Sequence, residues 1–149
     1  MSGSGIHVTG HCRCTTDPVR FEITKQPYEV HYCLCTDCTD ISGGAMAIIA
    51  VVEKSGFRVT AHEEKIKNFD TKPTAHRRFC GTCGCHMFLY VDAFPDYVLV
   101  HVPTLERGAD LGAKPDRWVF TRSKHPMITI PNDGLSRHEG WAGTAKVAA

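Results

Sequence analysis

Apolar and polar positions alternate along this chain in short stretches, a pattern that predicts strands far more often than helices. Ile6–Cys12, Val19–Lys25 and Tyr28–Cys33 are rich in Val, Ile, Thr, Tyr and Phe, and Gly, Asp-Pro or Gln-Pro turns bound them. Ala45–Glu53 is a longer apolar run whose Ile-Ile and Val-Val pairs favour a buried strand over a helix. Lys54-Ser55-Gly56 reads as a turn, with strands at Phe57–Thr60 and Lys65–Phe69 after it. Ala75–Cys80, His86–Val91 and Tyr97–Pro103 continue the series, and Trp118–Thr121 and Met127–Ile130 are late strands. Helix is expected only in short pieces, at Thr104–Arg107 or in the turn after Cys38. The predicted fold class is mainly β, a single domain of short antiparallel strands over 1–149. Its core lies at about 6–135, and the small-residue end WAGTAKVAA is expected to fray.

Composition narrows the function classes. Lys and Arg total 17 against 16 Asp and Glu, a formal net charge of +1, so nucleic acid and anionic membrane have no electrostatic claim on the chain. The longest apolar run, Ala45–Val52, is too short to span a bilayer. MSGSGIHVTGHC has no basic region followed by an apolar run, so no signal peptide is expected.

The cysteines change the picture most. Seven of the eight fall into three clusters: Cys12 and Cys14, then Cys33, Cys35 and Cys38, then Cys80 and Cys83 with Cys85 close behind. Residues i and i+2 on a strand project to one side, and a tight turn brings i and i+3 together, so both spacings suit metal thiolates. Four thiolates around zinc, each at about 2.3 Å, form a tetrahedron with sulfurs roughly 3.8 Å apart. A disulfide framework is the competing reading. A disulfide within Cys-x-Cys would be strained, and a chain of this size buries about two-thirds of its surface without staples. Metal is therefore preferred, which implies a reducing compartment, most simply the cytoplasm. A closed structural site should join bidentate motifs distant in sequence, here Cys12 and Cys14 with Cys80 and Cys83. The triple Cys33, Cys35 and Cys38 would then hold a second zinc with one open position, as catalytic zinc sites do. Three thiolates make that zinc a poor generator of hydroxide but a good acceptor for an incoming thiolate.

The succession GHCRC, CLCTDCTDISGG, RFCGTCGCHMFLY and RWVFTRSKHPMITIPNDGL resembles the glutathione-dependent formaldehyde-activating enzymes, a family that includes the centromere-protein-V-type domains. The resemblance implies a β-tent fold, a structural zinc on Cys12, Cys14, Cys80 and Cys83, and a catalytic zinc on Cys33, Cys35 and Cys38. It also implies a zinc-dependent carbon–sulfur lyase or synthase joining a small, glutathione-like thiol to a small aldehyde such as formaldehyde. A non-catalytic double-zinc module acting through protein contacts is the alternative. The chain departs from the family at Leu34, where relatives often place His, at Met127, where they often place Trp, and in its extra thiol at Cys85.

The remaining candidates have plainer readings. Cys85 could close the Cys33 site or react, but burial as a small apolar residue is favoured. His86 and His101 are the histidines to consider as a general base, although surface or core roles are commoner. Asp37 and Asp40 read as turn residues, Ser42-Gly43-Gly44 as a bend, and Phe79, Phe88, Trp118 and Phe120 as core.

Overall fold

The computed structural model describes residues 5–141 and the backbone of Lys146–Val147. The expectation of a fraying end falls almost wholly outside the described residues. In chain order come β1 (Val8–His11), β2 (Arg20–Ile23), β3 (Glu29–Cys33) and the helix α1 (Thr36–Ser42). Next are β4 (Ala47–Glu53), β5 (Phe57–Ala61), β6 (Ile66–Lys72), β7 (Ala75–Cys80), β8 (His86–Val91) and β9 (Tyr97–His101). The last strands are β10 (Arg117–Val119), β11 (Ser136–His138) and β12 (Lys146–Val147). The class is mainly β, as expected, with short 3-10 turns between strands. Among the described residues, no helix is long and apolar enough to cross a membrane.

The chain forms two compact units. One comprises Met1–Tyr28 and Ala50–Ala113, the other Glu29–Ile49 and Lys114–Ala149. In the first, β1, β2 and β5 make a three-stranded antiparallel sheet with Val8 opposite Ile23 and Phe21 opposite Val59. The end of β4 and then β9, β8, β7 and β6 form a second run of strands. Its core is aromatic: the ring of Phe21 lies 5.5 Å from Phe57 and 6.2 Å from Phe88, and Phe57 lies 4.8 Å from Phe88. Gly10 is required on β1, because a Cβ there would stand 2.4 Å from the Phe21 ring. Packing at that density leaves no room for a methyl group.

In the second unit the strands run β12-β11-β10-β3-β4, with β4 continuing into the first. Here β10 pairs in parallel with both β3 (Trp118 opposite Tyr32, Val119 opposite Cys33) and β11 (Arg117 opposite Ser136). Parallel pairing needs a long crossover, and the first unit's segment Ala50–Ala113 lies between β3 and β10 in the chain.

Three expectations are corrected. Met127–Ile130 is not a strand. The Met127 N–H donates to His125 Nδ1 at 3.1 Å and Lys124 Nζ donates to the Ile128 carbonyl at 2.6 Å, so a local turn uses the backbone groups a ladder would need. The strand expected to reach Pro103 stops at His101, where a 3-10 turn over Val102–Thr104 begins and the Thr104 hydroxyl donates to the His101 carbonyl. Thr104–Arg107 is not a helix; Leu105 instead bridges to Gly10.

Candidate metal centres

Each thiol group forms within a single unit. Cys12 ends the β1–β2 hairpin: its N–H donates to the Val19 carbonyl at 3.1 Å, and the Val19 N–H donates to its sulfur at 3.3 Å. Cys80 ends β7, and the turn Gly81-Thr82 returns Cys83 beside it. Gly84, at φ 81°, allows that return, and its N–H donates to the Cys80 carbonyl at 2.8 Å. The sulfurs of Cys12, Cys14, Cys80 and Cys83 all lie within 4.8 Å of one another, and Cys14 to Cys80 is 3.7 Å. That last distance matches the edge of a tetrahedron of thiolates around a metal, about 3.8 Å. The Arg13 N–H donates to the Cys83 sulfur at 3.3 Å.

The electrostatics agree with a cation-binding set. Burial, followed by hydrogen bonds with Cys12, Cys80 and Cys83, pushes the Cys14 thiol up to about 12. At Cys80 burial also opposes ionisation, but the backbone N–H groups of Cys83 and Thr82 and the neighbouring thiols outweigh it and draw the pKa down to about 6. Four close thiols cannot all ionise alone, and a divalent cation removes that obstacle. The donor set fits a closed thiolate site.

The second group forms at the exit of β3. Cys33 is its last residue, Leu34 anchors the strand by donating to the Val119 carbonyl at 3.1 Å, and Cys35 caps α1. The Cys35 sulfur accepts the Cys38 N–H at 3.3 Å, and Gly43 closes the helix at φ 68°. The sulfurs of Cys33, Cys35 and Cys38 lie within 4.8 Å of one another, with Cys33 and Cys38 buried and Cys35 partly exposed. Hydrogen bonds with Cys35 and Cys38, and then burial, hold the Cys33 thiol far above its ordinary range. This set offers three soft donors, one short of a closed tetrahedron.

Other candidates separate clearly. Cys85 joins neither group and is half-buried, with its thiol 3.9 Å from the His86 carbonyl. His86 and His101 belong to the first unit and to neither thiol group. Burial, aided by the charge of Arg77, lowers both imidazoles, His101 to about 4. Asp37 lies in the first turn of α1, consistent with a local role. Phe88 and Trp118 are buried as expected, whereas Phe79 and Phe120 are only partly so.

Residue patterns alone did not single out the polar line on β3. Glu29, His31 and Cys33 alternate along the strand and share one face. His31 is 1% exposed, and its Nδ1 lies 2.8 Å from Glu29 Oε2. Arg117 Nη1 stands 3.6 Å from Glu29 Oε1, and Arg117 Nε pairs with Asp116 at 2.7 Å. The hydrogen bond from His31, against burial and with help from Arg117, keeps the Glu29 carboxyl below its usual value. Trp141 stands edge-on to His31 at 4.9 Å, and Phe120, at φ 58°, lies 6.2 Å from Trp141. His138 is also buried: Nε2 is 3.1 Å from Ser136 Oγ, while Nδ1 has no partner among the described residues. The Glu-x-His-x-Cys alternation was the available signal for the β3 line; nothing local marked His138.

Residues 7–123 match the sequence profile of the family described as glutathione-dependent formaldehyde-activating enzyme. A Penicillium rubens protein named for that activity is 33% identical over 88 residues, covering 58% of this chain and 46% of its own length. A similarly named Sordaria macrospora protein is 32% identical over 87 residues, covering 56% of this chain and 37% of its own length. A third, from Emericella nidulans, is 28% identical over 105 residues, covering 68% and 53%. The chain thus spans about half the length of these curated relatives, or less. A crystal structure of a Rhodobacter sphaeroides protein superposes with a TM-score of 0.58 at 26% identity, covering 74% of this chain and 99% of that one.

Proposed function

The chain belongs to the glutathione-dependent formaldehyde-activating enzyme family, and on that premise we propose that it is a zinc-dependent carbon–sulfur lyase or synthase. It would add a glutathione-like thiol to a small aldehyde such as formaldehyde, or cleave the adduct, in the manner of an S-(hydroxymethyl)glutathione synthase. In the forward direction a carbon–sulfur bond forms and the carbonyl π pair becomes the hydroxyl, which ends with the thiol's proton. No redox partner is needed.

The observation that carries this reading is the split into four thiols and three. Cys12, Cys14, Cys80 and Cys83 are read as ligands of a structural zinc joining the end of the β1–β2 hairpin to the β7–β8 turn. Cys33, Cys35 and Cys38 are read as ligands of a catalytic zinc. A zinc held by those three would supply a soft Lewis acid with one open position, which lowers the pKa of an incoming thiol. The protein's own contribution is to fix the donors. The Cys38 N–H fixes Cys35, the Leu34 N–H anchors the strand on β10, and the burial of Cys33 and Cys38 keeps water from competing. Cys35 is the partly exposed member of the three. A reducing cytoplasm is the compartment that suits these thiols.

Exchange spectroscopy by NMR tests the proposal. The zinc-loaded protein should accelerate exchange between free glutathione and its hydroxymethyl adduct when formaldehyde is present. Thiol binding without acceleration would call for a different electrophile. Failure to bind any of a panel of small thiols would favour a non-catalytic double-zinc module.

A further inference from the structure

We propose that His31 is a catalytic residue that hydrogen-bonds the hydroxyl group of the thiol–aldehyde adduct. This rests on the function proposed above and adds the group that holds the reacting oxygen.

Position is the first argument. His31 and Cys33 project from the same face of β3, about 6.6 Å apart along the strand. In the adduct the hydroxyl oxygen lies two covalent bonds from the sulfur. A thiol held by a zinc on Cys33, Cys35 and Cys38 would carry the adduct's hydroxyl oxygen beyond its sulfur, toward the next residue of that strand face, His31. The spacing therefore lets the hydroxyl oxygen reach His31.

Orientation is the second. Glu29 lies on the same face on the far side of His31 from Cys33, and it engages Nδ1 at 2.8 Å. Glu29 takes up Nδ1, so Nε2, the other ring nitrogen, is the one left to meet a substrate. Glu29 is itself held by Arg117 from β10, which fixes the ring through two successive contacts. Among the described residues only Nδ1 of this ring makes a hydrogen bond, leaving Nε2 available.

Environment is the third. The ring is 1% exposed, with the indole of Trp141 edge-on at 4.9 Å, so it sits in largely apolar surroundings. A hydrogen bond in such surroundings is stronger than one in solvent. A hydroxyl both donates and accepts, so the contact forms whichever ring nitrogen carries the proton.

The test compares His31→Phe, His31→Gln and Glu29→Gln with the wild type, each checked for zinc content and thermal midpoint. His31→Phe should keep glutathione binding within about twofold and lose adduct exchange by about tenfold or more, the effect of one hydrogen bond made to the reacting oxygen. His31→Gln should recover most of that rate, and Glu29→Gln, which loosens the ring, should fall between. Should His31→Phe fail to fold, the wild type decides. With 15N-labelled histidine, the His31 Nε2 resonance should shift on adding glutathione with formaldehyde but not glutathione alone. A wild-type rate in His31→Phe, or an unmoved Nε2 resonance, overturns the assignment while leaving the zinc–thiol reading intact. Wild-type protein that binds no thiol overturns that reading and this one with it.

Discussion

At the scale of single residues, sulfur placement is local and histidine placement is not. The spacings Cys12-x-Cys14, Cys33-x-Cys35-x-x-Cys38 and Cys80-x-x-Cys83 bring their sulfurs together within one strand end or one turn, so the sequence was enough to group them. His31 needed more: its Glu29 partner is two residues away, but Arg117, which holds Glu29, arrives from far along the chain. His86 and His101 stood out as candidate bases, yet both lie in the unit that carries the four-thiol group. Cys85 illustrates the same limit, since it stands two residues after Cys83 while its sulfur stays out of the group. Burial, then the charges of Cys83, Cys12 and Cys80, push its thiol up to about 11, so it is protonated at neutral pH. Cys85→Ala should therefore keep full zinc content and wild-type exchange, with a stability change of about 1 kcal/mol or less. Zinc analysis and the exchange assay check this, and loss of one zinc would make Cys85 a ligand.

At the scale of elements, period-two alternation located the strands where a face is buried. Ala75–Cys80 and His86–Val91 match to the residue, and β1 to β6 lie within a few positions of their expected ranges. The alternation does not reach β11 and β12, which have three and two residues and stand beside neighbours that are distant in sequence or extremely short. Charge chemistry joins three consecutive strands. His76 on β7 bonds Asp70 of β6 through Nδ1 and Asp92, just after β8, through Nε2, both at 2.9 Å. These two bonds, Asp70 first, raise the His76 pKa above its ordinary 6.5, and the His76 bond, with help from Asn68 and Arg78, lowers Asp70 below its ordinary 3.8. The histidine's contribution is full below pH 6.5 and is lost as pH rises through the raised value. The aspartate's contribution is present above pH 3.8 and is lost as pH falls through the lowered value. Between those limits the bridge is at full strength. The melting-temperature difference between wild type and His76→Gln should be largest near about pH 5 to 6 and should shrink through alkaline pH. A difference that does not vary with pH would mean that the bridge adds nothing.

At the scale of the whole molecule, the four-thiol and three-thiol groups belong to different units and are read as having different duties. Cys14 and Cys80 are 66 positions apart, so a metal joining them closes a long loop and constrains the unfolded chain, whereas Cys33 to Cys38 is local and closes almost nothing. The family pattern was legible because it is a succession of such clusters; the two parallel ladders of β10 were not, because they depend on where the chain returns after Ala113. The central claim is that one zinc supports the fold while the other is open to a thiol. It is tested most directly by zinc analysis and glutathione titration on the reduced wild type beside a variant with Cys33, Cys35 and Cys38 all changed to Ser. The wild type should hold about two zinc ions per chain and bind glutathione, and the variant should hold about one, melt close to the wild type and bind none. A fully reconstituted wild type with a single zinc, or a variant that still binds glutathione, would contradict the claim.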